Sequence, residues 1–136
     1  MSIIRSWQSW APYILSLIRI VAAAIFITSG TMKIFGWPAP MPEGMTFTLM
    51  SQMGLGAVLE VFGGGLLLLG LAARPVAFVL AGMMAVAYFQ FHAPQGFWPT
   101  VNGGIPAILF CFLWLYISAA GPGPLSLDRA FIKAKF

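Results

Sequence analysis

The chain has 136 residues, of which 60% are hydrophobic and only 7% are charged, and its formal net charge is +4 at pH 7. A soluble domain carries about 25% charged residues to face water, so this composition excludes a water-soluble fold and predicts that the chain is embedded in a lipid bilayer. Its seven basic residues are scattered along an apolar chain and form no basic face, which argues against nucleic acid as a partner.

Four continuous apolar runs, separated by glycine and proline, predict four transmembrane α-helices. They cover about residues 13–35, 56–73, 76–92 and 104–120. Each run is close to the roughly 17–25 residues that a helix needs to cross a bilayer. None alternates between apolar and polar residues as the strands of a membrane barrel do. The expected fold is therefore all-α, a membrane-embedded four-helix bundle that forms one transmembrane domain over residues 1–136.

The basic residues beside the predicted spans indicate the orientation of the chain. One side of the membrane receives Arg5, Arg74, Arg129, Lys133 and Lys135. The other side has Lys33, together with Glu43 and His92. Because cytoplasmic loops carry an excess of lysine and arginine, both termini are predicted to be cytoplasmic. The expected location is the plasma (inner) membrane of a bacterium.

The loop at residues 36–55 is the least regular part of the sequence. Its stretch at 45–53 is apolar but too short to cross the bilayer. We expect an interfacial helix or a re-entrant lid there.

Charged side chains inside the predicted spans mark where chemistry could occur, since a charge in the bilayer centre needs a partner or a watery cavity. Glu60 lies one turn into the second span, at the level of Lys33 on the first, so the spacing predicts a Lys33–Glu60 ion pair. Arg19 lies near the cytoplasmic end of the first span, and Arg74 lies at the turn between the second and third. Either arginine serves a structural role or binds a lipid phosphate.

Polar side chains from all four spans converge at one level near the outer surface. The candidate ligand-binding residues are Lys33, Glu60, Tyr88, Gln90, His92 and Asn102. Two structural interpretations stay open beside this one: an ion pair that fixes helix register, and a histidine that merely lies at the interface. A lone histidine without a second ligand predicts no metal site. The pattern identifies no catalytic residue and does not decide whether the chain is an enzyme.

Several short motifs follow one another along the chain. They are Arg19, Ser29-Gly30-Thr31-Met32-Lys33, Met53-Gly54-Leu55-Gly56, Glu60-Val61-Phe62-Gly63-Gly64, Gly70, Arg74, Asn102-Gly103-Gly104, Gly121-Pro122-Gly123 and Ser126-Leu127-Asp128. In this order and spacing they resemble the DoxX family over about residues 15–128, which implies a four-helix membrane bundle. Similar proteins usually carry an acidic residue where Ile105 stands here. A role that this carboxylate has in similar proteins cannot be assigned to Ile105, and Glu60 is the remaining acidic residue within the predicted spans.

The resemblance implies links to quinone-coupled sulfur oxidation, to oxidative-stress complexes or to the chaperoning of membrane proteins. It favours a redox-associated membrane subunit that binds a quinone-like or other amphipathic ligand in an outer-leaflet polar cavity walled by Trp and Phe side chains. One cysteine and one histidine supply neither a thiol pair nor a haem-ligand pair, so electron transfer would need a quinone or another cofactor, or a redox protein partner. The alternative is a non-catalytic scaffold or assembly factor, and a small transporter is a third hypothesis. The other expected partners are the lipid bilayer and further copies of this chain in a homo-oligomer.

Overall fold

The computed structural model describes residues 2–42 and 48–132, and over these residues the chain is all-helical, with 78% helix and no strand. The helices run in the order α1 (Ile3–Gln8), α2 (Ala11–Phe35), α3 (Gln52–Leu69) and α4 (Ala73–Ala87), then α5 (Pro99–Asn102), α6 (Ile105–Ala120) and α7 (Leu127–Ile132). A π-helical turn, Tyr88–His92, and a 3₁₀ turn, Ala93–Gln95, extend α4 toward α5.

Three helical stretches within the described residues are long and apolar enough to cross a membrane: α2, α3 and Ala73–Gln95. The apolar α6 is shorter, at 16 residues. The helix α3 covers 52–69 rather than 56–73, because Ser51 caps its first turn and Gly70 ends it with φ +71°. Left-handed backbone of this kind is accessible to glycine without steric cost, which explains the sharp stop.

The helices pack as two antiparallel pairs. The first pair is α2 with α3, the second is α4 with α6, and α3 contacts α4 between them. Small residues permit this close approach: a Cβ added at Gly30 of α2 would lie 2.8 Å from the Ala57 backbone oxygen and 2.6 Å from Val61 Cγ2 of α3. The buried core consists of Ala22, Ala23, Phe26, Leu67, Ala73, Ala77, Leu80, Ala81, Trp114 and Ile117.

The outward surface of the helices is apolar. Phe62, Phe78 and Phe112 are 70%, 64% and 64% exposed, respectively, on three different helices. A water-soluble protein rarely exposes such a continuous apolar surface. Lipid is therefore the solvent that suits this part of the chain.

The predicted interfacial helix or lid falls partly outside the described residues, which omit 43–47. The described flanks at 37–42 and 48–51 are not helical, and Gln52 and Met53 already belong to α3. Glu43, Lys133 and Lys135, which entered the orientation argument, also lie outside the described residues.

Candidate functional site

At the end of the bundle where α2 begins, Arg19 binds three backbone carbonyls. Its side chain is 1% exposed. Nε donates to Leu67 O at 2.7 Å, Nη2 donates to Leu125 O at 2.7 Å, and Nη1 donates to Pro122 O. Ser16 adds two bonds, donating to Pro122 O and accepting from the Leu125 N–H, both at 3.1 Å. We call this group, together with Asp128, the Arg19 cluster.

Asp128 caps α4 across a long sequence separation. Its side chain is 1% exposed, and its Oδ1 and Oδ2 accept from the backbone N–H groups of Ala72 at 2.8 Å and Ala73 at 2.9 Å. Ala72 has φ +51°, a left-handed conformation that is unusual for alanine. The Asp128 charge also attracts Arg19. The carboxylate thus holds the tight turn between α3 and α4 and ties the C-terminal segment to it.

Both arginines that the sequence assigned to structure or lipid phosphate bind protein carbonyls. Arg19 is enclosed by the cluster just described. Arg74 donates to Ala119 O and, at 3.5 Å, to Ser118 O at the end of α6. A cation is favourable there because the free carbonyls of a helix C-terminus carry partial negative charge. These contacts support the structural alternative for both residues.

At the opposite end, Lys33 of α2 and Glu60 of α3 form the ion pair that their spacing predicts. Lys33 Nζ lies 2.7 Å from Glu60 Oε1, and the two side chains are 26% and 6% exposed. The pair is therefore confirmed as an ion pair. Glu60 Oε2 is buried and has no hydrogen-bond partner among the described residues. Buried polar atoms in native proteins almost always have a hydrogen-bond partner. Glu60 Oε2 is an exception, and it can still accept a hydrogen bond.

Asn102, Tyr88 and His92 form a second polar group at this end, which we call the Asn102 cluster. Asn102 Nδ2 donates to the Tyr88 hydroxyl at 3.3 Å and to Gly96 O at 2.9 Å, and Oδ1 accepts from the Gly104 N–H at 2.8 Å. His92 Nδ1 lies 3.1 Å from Asn102 O and therefore donates to it. In the tautomer that carries its proton on Nδ1, Nε2 is an acceptor. Both Asn102 Nδ2 protons are used, whereas no hydrogen bond between described residues uses the Tyr88 hydroxyl proton or His92 Nε2.

The remaining candidate, Gln90, pairs with a residue that the sequence argument missed. Gln90 Nε2 donates to Gln52 Oε1 at 2.9 Å, and Gln52 Nε2 donates back to Gln90 Oε1. Both side chains are exposed. The predicted outer layer thus consists of three groups, and no hydrogen bond between described residues joins the Lys33–Glu60 pair to the Asn102 cluster. Nor do the described residues bring three His, Cys, Asp or Glu side chains together as a metal site.

An open apolar groove of about 580 Å³ lies between α2 and α6. Its lining residues are Leu17, Ile18, Val21, Ala22, Ile25, Ile105, Pro106, Leu109, Phe110 and Leu113. The six polar candidates are not part of this lining, which is mainly aliphatic rather than aromatic. Its α6 wall begins at Ile105, immediately after the Asn102-Gly103-Gly104 turn. The buried Phe26 packs against Phe110 of the groove wall. Its ring centroid lies 5.2 Å from that of Phe110 and 5.5 Å from that of Trp114.

Long apolar helices, an apolar outer surface and internally paired charges define a small helical membrane protein. The DoxX family model matches residues 14–93, which include most of α2 and all of α3, α4 and the π-helical turn. An uncharacterised protein of Haemophilus influenzae is 40% identical over 129 residues, which is 93% of this chain and 96% of that relative. No solved structure matches the chain. The chain belongs to the DoxX family.

Proposed function

We propose that this DoxX-family protein crosses the bilayer four times, with α6 as the fourth span and both termini in the cytoplasm of a bacterium. The packing of α6 along α4 supports the fourth crossing, because α4 with its π-helical extension is long enough to span the membrane. Arg74 contacts the end of α6, and Arg129 follows Asp128 of the Arg19 cluster. Lys33 lies at the opposite end. This distribution supports a cytoplasmic location for the arginine-rich end.

Within the bilayer, the protein binds a quinone-like or other amphipathic molecule. The observation that carries this proposal is the apolar groove, whose α6 wall starts directly after the Asn102 cluster. Ligand sites in membrane helices and elsewhere combine apolar walls with a few polar groups that fix orientation. The groove would take the apolar chain of the ligand, and the polar head would lie toward the outer end of the bundle.

The polar groups at that end offer both kinds of hydrogen bond. Tyr88 and Lys33 have N–H or O–H donors suited to a ring carbonyl. Glu60 Oε2 and His92 Nε2 are acceptors suited to a hydroxyl. A molecule that interconverts between a carbonyl and a hydroxyl form would find partners in both forms. The chain would serve as a membrane subunit, and electrons would pass between the bound molecule and a redox protein partner.

The test compares two valine-to-tryptophan variants. Val21 lines the groove and is 51% exposed, whereas Val79 of α4 is 53% exposed outside it. Each protein is extracted with its native lipids in polymer-bounded discs, and its organic extract is quantified by mass spectrometry. We expect one amphipathic molecule per wild-type chain, the same content in Val79→Trp, and at least tenfold less in Val21→Trp.

Two results would contradict this proposal. One is a wild-type protein without any enriched quinone-like or other amphipathic molecule. The other is equal ligand content in both tryptophan variants, which would remove the groove from the binding site. A stoichiometric protein partner together with an empty groove would instead support a scaffold or assembly role.

A further inference from the structure

The short helix α1 has an apolar face and a polar face. At about 100° of rotation per residue, Ile3, Ile4 and Trp7 fall on one side. Arg5 and Ser6 fall on the other, and Gln8 lies at the boundary, about 40° from Ile4. Its first turn is capped by the Ser2 hydroxyl, which accepts from the Arg5 N–H at 3.2 Å. The sequence therefore builds a two-sided helix although it spans only 6 residues.

The apolar face of α1 is not covered by the described part of the chain. Ile3, Ile4 and Trp7 are 89%, 68% and 67% exposed. Two large aliphatic side chains and an indole on one face of one short helix need an apolar environment. Within residues 2–42 and 48–132, no part of the fold supplies that environment.

The connection between α1 and α2 fixes where this face lies. Only Ser9 and Trp10 separate the two helices, and α2 is long enough to cross the membrane. Trp10 packs against Tyr13 with ring centroids 5.8 Å apart, and both rings are about half-exposed, at 56% and 48%. Exposed Trp and Tyr rings at the end of a spanning helix favour the headgroup level of the bilayer. The helix α1 starts from that level.

We propose that α1 lies in the plane of the bilayer surface, with Ile3, Ile4 and Trp7 buried at the boundary between headgroups and acyl chains. The partner of this face is the phospholipid bilayer itself. Arg5, on the opposite face, reaches the lipid phosphates while its aliphatic stem follows the apolar boundary. In this position α1 fixes the depth and rotation of the first turns of α2, which carry Ser16 and Arg19. The inference does not depend on the ligand proposed for the groove.

The experiment places spin labels on the two faces of α1 in the full-length protein. Cys111→Ala provides a background without cysteine, and Ile4→Cys and Ser6→Cys add single labels about 160° apart around the helix. Each protein is reconstituted in nanodiscs of phosphatidylcholine and phosphatidylglycerol. Power saturation then measures the collision of each label with oxygen, which partitions into lipid, and with a water-soluble nickel chelate.

We expect the label at position 4 to collide mainly with oxygen and the label at position 6 mainly with the nickel chelate, with at least a threefold difference in their ratio. Equal, high access of both labels to the nickel chelate would place α1 in water and overturn the proposal. Protection of both labels from both reagents would place protein, such as a second copy of this chain, on α1 and would also overturn it. A label at Val79→Cys, on lipid-facing α4, sets the oxygen value of a bilayer-exposed site.

Discussion

The two ends of the bundle bury charge in different ways. Arg19 is 1% exposed and donates to three backbone carbonyls, while Asp128 accepts from two backbone N–H groups. At the opposite end, Lys33 is 26% exposed and pairs with one side chain, and Glu60 Oε2 has no partner among the described residues. A backbone carbonyl is fixed by the fold and leaves its partner only if the chain unfolds locally. A side chain can change rotamer and exchange one hydrogen-bond partner for another. The first end is therefore held by contacts that only unfolding breaks, and the second keeps unused hydrogen-bonding capacity at Glu60 Oε2.

The same contrast is visible in what each end connects. The Arg19 cluster links α2, the α3–α4 turn and the C-terminal segment, all of which are far apart in sequence. At the other end, the Asn102 cluster ties the π-helical turn to the short α5 that follows it. Loss of the first set should loosen the whole bundle, while loss of the second should act locally.

The largest expected effect is that of Arg19→Met. The variant keeps an apolar stem but removes the three guanidinium donations to the carbonyls of Leu67, Pro122 and Leu125 in a low-dielectric interior. We expect the free energy of unfolding to fall on the order of 3–5 kcal/mol, since a buried, bonded charge is lost. Reversible unfolding in mixed micelles, followed by tryptophan fluorescence, measures the change.

The matched control for this variant is Arg5→Met, which removes the exposed arginine of α1. We expect its free energy of unfolding to stay within about 0.5 kcal/mol of wild type. If the two variants were equally stable, the Arg19 cluster would not be a stabilising centre and the contrast between the ends would be lost.

A smaller effect is expected for Asp128→Ala. The substitution removes the acceptor of the Ala72 and Ala73 N–H groups at the start of α4, and the loss of a helix cap costs about 1–2 kcal/mol. Asp128→Asn keeps one oxygen acceptor and should fall between the alanine variant and wild type. The same unfolding measurement orders the three proteins.

Ser2→Ala serves as the control for the cap, because it removes the corresponding bond from the exposed helix α1. The bundle should unfold at the wild-type denaturant concentration in that variant. An Asp128→Ala protein that also matched wild type would mean that the turn at Ala72 holds its left-handed conformation without the carboxylate.

Local patterns made much of the fold predictable. Continuous apolar runs indicated the helices, and Gly36 ends α2 in a left-handed conformation that glycine adopts readily. Gly70 ends α3 in the same way, but the predicted span continued past it to residue 73. The Lys33–Glu60 pair followed from the rise per residue along two antiparallel helices. Such features depend on short-range spacing, which a single sequence contains.

Features that depend on distant partners were not predictable in the same way. The bonds of Ser16 and Asp128 span 106 and 56 residues, and no local pattern indicates which backbone groups they meet. Gln52 was missed because the second span was predicted to begin at residue 56, which placed Gln52 in the outer loop rather than at the start of α3, where it pairs with Gln90. The groove, likewise, depends on how far α2 and α6 diverge, which hydropathy does not encode.

The most direct test of the contrast between the two ends is Glu60→Gln, measured for ligand content and stability on the same sample. The amide oxygen still accepts from Lys33, so we expect the free energy of unfolding to fall by only about 1–2 kcal/mol, less than in Arg19→Met. The loss of the carboxylate acceptor should lower the content of bound amphipathic molecule at least tenfold. A well-folded variant with wild-type ligand content, or a variant as unstable as Arg19→Met, would contradict the assignment of this end to ligand binding.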